Sequence, residues 1–178
     1  MALYSIALSF DSAGTAKLLD LMCGSYMFEN QIRPHLTLGM FESDSEKEVL
    51  SYFLGLVDLL EPFTLTFGNM GMFGSSYIFA EPMADPVMKE NFYKTYSIFS
   101  KHFTAGDNGN YLPGRWVPHV SVGMKLSEEE SQGYFEFAAE NFRSFSCVAC
   151  RAVVARCDPY KELFVKPLKQ KKDCALCG

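Results

Sequence analysis

The chain contains one tryptophan and three histidines, and no run approaches the ~20 apolar residues that a membrane span requires. Its first residues, Met-Ala-Leu-Tyr-Ser-Ile-Ala-Leu-Ser-Phe followed by Asp11, lack a basic n-region and a small-residue cleavage site, so no secretory signal is expected. Net positive charge is also missing, because 16 Lys+Arg face 21 Asp+Glu and leave a formal −5. Affinity for a phosphate backbone comes from clustered Lys and Arg, so this balance excludes duplex binding through bulk charge. A pocket that holds a single phosphate stays open. Disorder is excluded by the other end of the scale, since 48% of the 178 residues are hydrophobic, with 16 Phe and 9 Tyr. That length suits one domain or two small lobes sharing a core. The six cysteines (Cys23, Cys147, Cys150, Cys157, Cys174 and Cys177), without a secretion signal, read as reduced thiols, and a cytoplasmic location is expected.

Hydrophobic periodicity orders the chain. Residues 2–10 alternate as a strand around Tyr4, Ile6, Leu8 and Phe10. Asp11 and Ser12 then cap a helical stretch that carries Leu18, Leu19, Met22 and Tyr26. Residues 34–41 read as a strand with Pro34 at its entry. Ser45 and Glu48 form a capping-box pattern before Val49, Phe53, Leu56, Val57 and Leu60, and Pro62 helps end that helix. Strands over 63–68 and 76–80 flank a Gly-rich link from Gly68 to Gly74. Asp85 and Pro86 open a third helix with Met88, Phe92, Tyr96, Phe99 and Phe103 on its apolar face. Ala105 to Arg115 reads as a loop, 116–124 as a strand, and Ser127 with Glu130 opens a helix burying Phe135, Ala138, Ala139 and Phe142. Two closing strands, about 144–157 and 161–167, meet at an Asp158-Pro159 turn.

One heptapeptide occurs twice. Pro34-His35-Leu36-Thr37-Leu38-Gly39-Met40 corresponds to Pro118-His119-Val120-Ser121-Val122-Gly123-Met124, with the histidines 84 residues apart. The separation is close to half the chain and suggests two related lobes. Alternation along a strand puts His35 and Thr37 on one face and the aliphatic pair on the other, and the same holds for His119 and Ser121. If the lobes meet face to face, two imidazole-hydroxyl pairs converge. Phosphodiester transfer needs this set of groups: a neutral imidazole to take a proton from the attacking oxygen, an imidazolium to supply one to the leaving oxygen, and hydroxyls to hold the non-bridging oxygens. A single Pro-His-x-Thr is ordinary on a half-buried strand; two copies that use two of three histidines are not.

The duplicated Pro-His-x-Thr/Ser-x-Gly pattern, in a chain of this size with βα-rich halves, resembles the two-histidine (2H) phosphoesterase superfamily. Its members include the bacterial RNA 2′,3′-cyclic phosphodiesterases also called 2′-5′ RNA ligases. The resemblance extends to about Leu168. It implies an α+β fold of two pseudo-symmetric lobes, each an antiparallel sheet with helices on its outer face, around a central groove. This would make residues 1–168 one bilobal domain, with lobes formed roughly by 1–83 and 84–168, and 169–178 a C-terminal tail. It further implies a metal-independent phosphodiesterase, with no cofactor, acting on a 2′,3′-cyclic phosphate or a 2′-5′ linked nucleotide or RNA end. His35 and His119 would be the acid-base pair, and Thr37 and Ser121 would bind phosphate. By analogy His119 would activate the incoming water or hydroxyl and His35 would protonate the departing oxygen. The partner would be a nucleotide or single-stranded RNA end, not duplex DNA or a membrane, and the protein a monomer. A non-catalytic module holding a nucleotide in the same groove is the alternative.

Other residues invite a role. Tyr111, Arg115 and Trp116 lead into the second motif and suit stacking on a base and pairing with an anion, and Tyr77 and Tyr4 are further candidates for the groove. His102 stands beside Phe99 and Phe103 and reads as structural. Cys147-x-x-Cys150 and Cys174-x-x-Cys177 match zinc-ribbon spacing, yet residues 147 and 150 fall in an expected strand without a Gly or Pro to turn a knuckle, so no metal is expected there. The basic groups Lys161, Lys166, Lys169, Lys171 and Lys172 read as a solvated C-terminal end that could steer RNA only if it folded near the groove.

Overall fold

The structure is a computed structural model that describes residues 1–22 and 24–169. The described residues form, in order, β1 (Ala2–Phe10), α1 (Ser12–Met22), α2 (Tyr26–Glu29), β2 (Leu36–Ser43), α3 (Glu46–Val57), β3 (Phe63–Phe73), β4 (Tyr77–Pro82), α4 (Pro86–Phe99), β5 (Thr104–Ala105), β6 (Val120–Met124), α5 (Glu128–Asn141), β7 (Phe145–Cys157) and β8 (Tyr160–Pro167). A 3-10 turn at Asp107–Gly109 lies between β5 and β6. Side-chain caps start the helices where the sequence places them. The Glu48 N–H donates to Ser45 Oγ (3.3 Å), the Met88 N–H donates to Asp85 Oδ1 (2.9 Å) with Pro86 following, and Ser127 and Glu130 close a reciprocal capping box.

Several boundaries differ from the sequence reading. The helix expected to reach Tyr26 stops at Met22, and Gly24 takes a positive φ of 75° before Ser25 caps the short α2. The Gly-rich link is mostly strand: β3 runs on to Phe73, and only residues 74–76 turn, with Gly74 at φ 57°. The strand expected from 116 begins at Val120, because the Trp116 N–H is turned back onto the Leu112 carbonyl. On α5, Ala138 is buried whereas Ala139 is exposed, which narrows the expected face.

All strand pairs are antiparallel, in the order β5-β2-β1-β7-β3-β4-β6, with β8 attached to β7. The thirteen-residue β7 forks the sheet. One edge carries β1 along Ala149–Arg156, while the other carries β3 along Phe145–Ala149 and then β8 along Arg151–Cys157. Helices α3 and α4 cover the β2 and β7 side, and α1, α2 and α5 cover the β6 and β4 side. The halves of the sheet therefore do not follow the halves of the chain, and a division at 83/84 does not describe them. β3 and β4 belong with β6, while β7 and β8 return to β1, because β7 is long enough to pair with β1 along one edge and with β3 and then β8 along the other. Aromatic rings fill the core on the helical face: Phe10 meets Phe67 edge-on at 5.9 Å, Phe67 tilts against Phe145 at 5.2 Å, and Phe41 against Phe99 at 5.0 Å.

The two heptapeptides share a device that register reveals. Ile6 pairs with Gly39 and Ala7 with Thr37, which leaves Leu38 as an extra residue; Ile78 pairs with Gly123 and Phe79 with Ser121, which leaves Val122 extra. The bulge falls at the same motif position in both strands. It lets Leu38 and Gly39, or Val122 and Gly123, all face the core while Thr37 and Ser121 turn to the opposite face. The glycines are needed because a ring lies on each: a Cβ on Gly39 would meet the Phe41 ring at 2.5 Å, and one on Gly123 the Tyr134 ring at 2.8 Å. The Tyr134 ring has no freedom to retreat, since its hydroxyl lies 2.6 Å from the Leu21 carbonyl and 2.7 Å from the Val122 carbonyl. Gly123→Ala is expected to destabilise the fold by about 1–3 kcal/mol through overpacking. By contrast, Gly133→Ala on the open face of α5 is expected to stabilise it by about 0.5–1 kcal/mol. Urea unfolding followed by circular dichroism checks both values.

Candidate active site

Each motif histidine sits one residue before its strand, and each is held the same way. The Nδ1–H of His35 donates to the Arg33 carbonyl at 2.7 Å, and the Nδ1–H of His119 donates to the Val117 carbonyl at 2.8 Å. A carbonyl only accepts, so this contact fixes the neutral ring in the Nδ1–H form and leaves Nε2 with its lone pair free. Burial lowers the pKa of both imidazoles below the usual 6.5, against the pull of these carbonyls. The charge of His35 lowers His119 further, while Glu162 and Asp107 favour the charged forms of His35 and His119 respectively.

The bulged strands turn Thr37 and Ser121 to the face that carries Ser5, Ala7 and Cys157 on one half and Tyr77 and Phe79 on the other. The loop between β5 and β6 joins the halves. Its start is tied to β2 by the Gly106 N–H on the Met40 carbonyl (2.9 Å), and its end by the Trp116 Nε1–H on the Thr37 carbonyl (3.0 Å). Asp107, Asn108 and Gly109 all take positive φ, which folds the segment tightly and presents Tyr111. Tyr111 has the Thr37 side chain as a hydrogen-bond partner, and its ring stands 6.4 Å from that of His119. One residue therefore touches both motifs. Burial first, then the charge of Asp107, pushes its phenol up to about 12, so it stays neutral. Cys157, at about 11 through burial, and Tyr160, also raised by burial, are neutral as well.

Of the residues singled out in the sequence, His35, Thr37, His119, Ser121, Tyr77 and Tyr111 share this face. Trp116 stacks on Phe92 at 4.2 Å and spends its N–H on β2, so it anchors the loop. The Arg115 guanidinium is exposed and donates to Asn110 Oδ1 (3.3 Å). Tyr4 is a correction: it pairs with Phe41 and Arg156 on the helix-covered face and is buried away from the face that carries Thr37 and Ser121. His102 bonds the Tyr52 hydroxyl at 3.0 Å and stacks on that ring. Cys147 is buried against Gly14 of α1, Cys150 is the extra residue of a bulge opposite Ser9 and Phe10, and Cys174 and Cys177 lie outside the described residues. Lys166 and Lys169 both bind Asp58 beside the end of α3, on the helical side; Lys171 and Lys172 lie outside the described residues. Sequence periodicity missed Tyr160, stacked 6.3 Å from His35, and Phe73 and Phe79, which flank His119 at 4.9 and 5.5 Å. Only their aromatic character pointed to them.

An α+β sheet that brings two bulged His-x-Thr/Ser strands to one face has the arrangement of a two-histidine phosphoesterase. A model of the 2′-5′ RNA ligase superfamily matches residues 23–156, and the chain belongs to that family. No curated protein matches it. Among solved structures, E. coli LigT complexed with 3′-AMP superimposes with a TM-score of 0.64 at 15% identity, over 95% of this chain and 99% of that one. TT0787 of Thermus thermophilus gives 0.58 at 17%, over 97% and 100%, and a structure described as a phosphoesterase gives 0.59 at 12%, over 96% and 100%. Identities this low show the shared fold. No helix among the described residues is long and apolar enough to cross a membrane.

Because burial lowers both imidazoles, the folded protein binds fewer protons than the unfolded chain between the folded pKa values and 6.5. Stability is therefore expected to fall as pH drops through 6.5 and to go on falling until both rings are charged. Thermal unfolding at pH 7.5, 6.5 and 5.5 checks the sign, and the His35→Gln/His119→Gln double variant should flatten the dependence.

Proposed function

We propose that this protein is a phosphodiesterase that opens 2′,3′-cyclic phosphates or cleaves 2′-5′ linked nucleotide or RNA ends by acid-base catalysis between His35 and His119, without a step assigned to a metal. The reading rests above all on the matched Nδ1–H contacts, which leave one free Nε2 in each motif beside a hydroxyl turned to the same face of the sheet. Neutral His119 Nε2 accepts a proton from the attacking water, whose oxygen bonds to phosphorus. The bond from phosphorus to the leaving ribose oxygen breaks, and His35, charged at Nε2, donates its proton there. Thr37 and Ser121 donate to the non-bridging oxygens, where charge has to be held. Tyr111 stands beside the Thr37 hydroxyl. Family membership supports the reaction class, and LigT, which shares the fold, has been crystallised with 3′-AMP, NADP+ and ATP, in line with a nucleotide ligand here.

His35→Ala and His119→Ala are each expected to lower kcat for 2′,3′-cyclic mononucleotides by about 10²–10⁴-fold, with circular dichroism unchanged. Thr37→Val should cost about 10²-fold. A chelator should leave the rate unchanged. The kcat/KM profile should be bell-shaped with its maximum below pH 6.5, because both free imidazoles are lowered. The kcat maximum should lie at higher pH, since a bound phosphate anion favours the imidazolium. Wild-type protein that binds 3′-AMP yet turns over no cyclic nucleotide would favour the alternative of a non-catalytic binding module.

A further inference from the structure

The tip of the β3–β4 hairpin places an open aromatic face beside His119, which the proposed reaction does not use. β3 pairs with β7 only as far as Phe67, and from Asn69 to Phe73 it pairs with β4 alone, so its end is a free edge. The tip is built in layers. A Cβ on Gly71 would meet the Phe79 ring at 2.5 Å, so Phe79 lies flat on the backbone there and is only 6% exposed. Phe73 stacks on Phe79 with ring centroids 4.3 Å apart. Its edge-to-face contact with His119 is 4.9 Å. Despite these two contacts Phe73 remains 37% exposed, and its cross-strand partner Tyr77 is 39% exposed. Burying a phenylalanine removes apolar surface from water, and nothing in the described residues uses the remaining area of this one.

We infer that Phe73, with Tyr77 at its side, is the stacking platform for the nucleobase whose phosphate lies between His119 and His35. The inference rests on the proposed function and adds the part of the substrate that the histidines do not touch. Adjacency commits the occupant: a planar ring joined through a ribose to the phosphate at His119 has this open face next to it. Most of the surroundings are rings. Phe73, Phe79, Tyr77, Tyr111 and Tyr160 stand around the motifs, with the carboxylates Asp107 and Glu162 acting on the histidines, and the cations Arg33 and Lys125 near Tyr160 and Tyr77. Stacking accepts any base, so the platform distinguishes a nucleotide from a base-free phosphodiester without choosing among bases.

The test compares adenosine 2′,3′-cyclic phosphate with methyl riboside 2′,3′-cyclic phosphate, which lacks the base, in wild-type, Phe73→Ala and Phe73→Trp proteins. Phe73→Ala is expected to raise KM for the adenosine substrate about 10-fold, with kcat within about twofold, and to leave the base-free substrate unchanged; Phe73→Trp should restore KM. An equal loss on both substrates would overturn the platform and make Phe73 a support for His119. Calorimetric binding of 3′-AMP and of ribose 3-phosphate to the same proteins keeps the two claims separable. If the wild type turns over neither substrate, the proposed reaction fails, yet a 10-fold loss of 3′-AMP binding in Phe73→Ala, with ribose 3-phosphate unaffected, would still support the platform. Equal binding of 3′-AMP by wild type and Phe73→Ala would refute it.

Discussion

The site depends on a short hydrogen bond made twice: an imidazole Nδ1–H onto the carbonyl two residues upstream. It fixes the tautomer and the ring plane together, and so decides which nitrogen can exchange protons with a substrate. The carbonyl is available because Arg33 and Val117 lie before their strands, where the backbone makes no ladder bonds. One residue after each histidine the strand begins, and three after it the bulge appears. The heptapeptide is thus a complete device: a proline at the entry, an imidazole held by a carbonyl, a hydroxyl turned to the face opposite the helices, an aliphatic bulge, and a glycine that accepts a ring from the core. Two copies on opposite arms of one sheet make a two-imidazole site.

Burial gives the device its chemistry. A ring in water would titrate near 6.5, whereas these are held lower by loss of solvent, and the nearby carboxylates offset only part of that shift. The neighbours Tyr111 and Cys157 are themselves kept neutral by burial. In the proposed reaction a bound phosphate would add to the nearby carboxylates in favouring the imidazolium that one step requires. The formal charge of −5 fits this picture, because a single phosphate gripped at short range needs no basic surface.

Much of this was legible in the residues. The repeated heptapeptide named the two histidines and two hydroxyls, and capping patterns at Ser45, Asp85 and Ser127 marked three helices that the structure contains. What stayed hidden depends on pairing rather than on pattern. A bulge leaves no mark in a Leu-Thr-Leu-Gly run until the partner strand is known, and the same run read as a plain alternating strand. Tyr160 and Phe73 join the site only because β8 and the β3 hairpin bring them there. Alternation defines two faces without saying which one the helices cover, so it does not assign Tyr4 to either. The exchange of strands between the sheet halves follows from the length of β7, which is paired on both edges.

The most direct measurement is long-range ¹H–¹⁵N NMR of the imidazole nitrogens, in the free protein and with 3′-AMP added. Above pH 7 both His35 and His119 are expected in the Nδ1–H form, and the nucleotide should shift the Nε2 resonances of both rings together. An Nε2–H tautomer in either ring, or a ligand response confined to one of them, would contradict a single phosphate site built from two matched histidines.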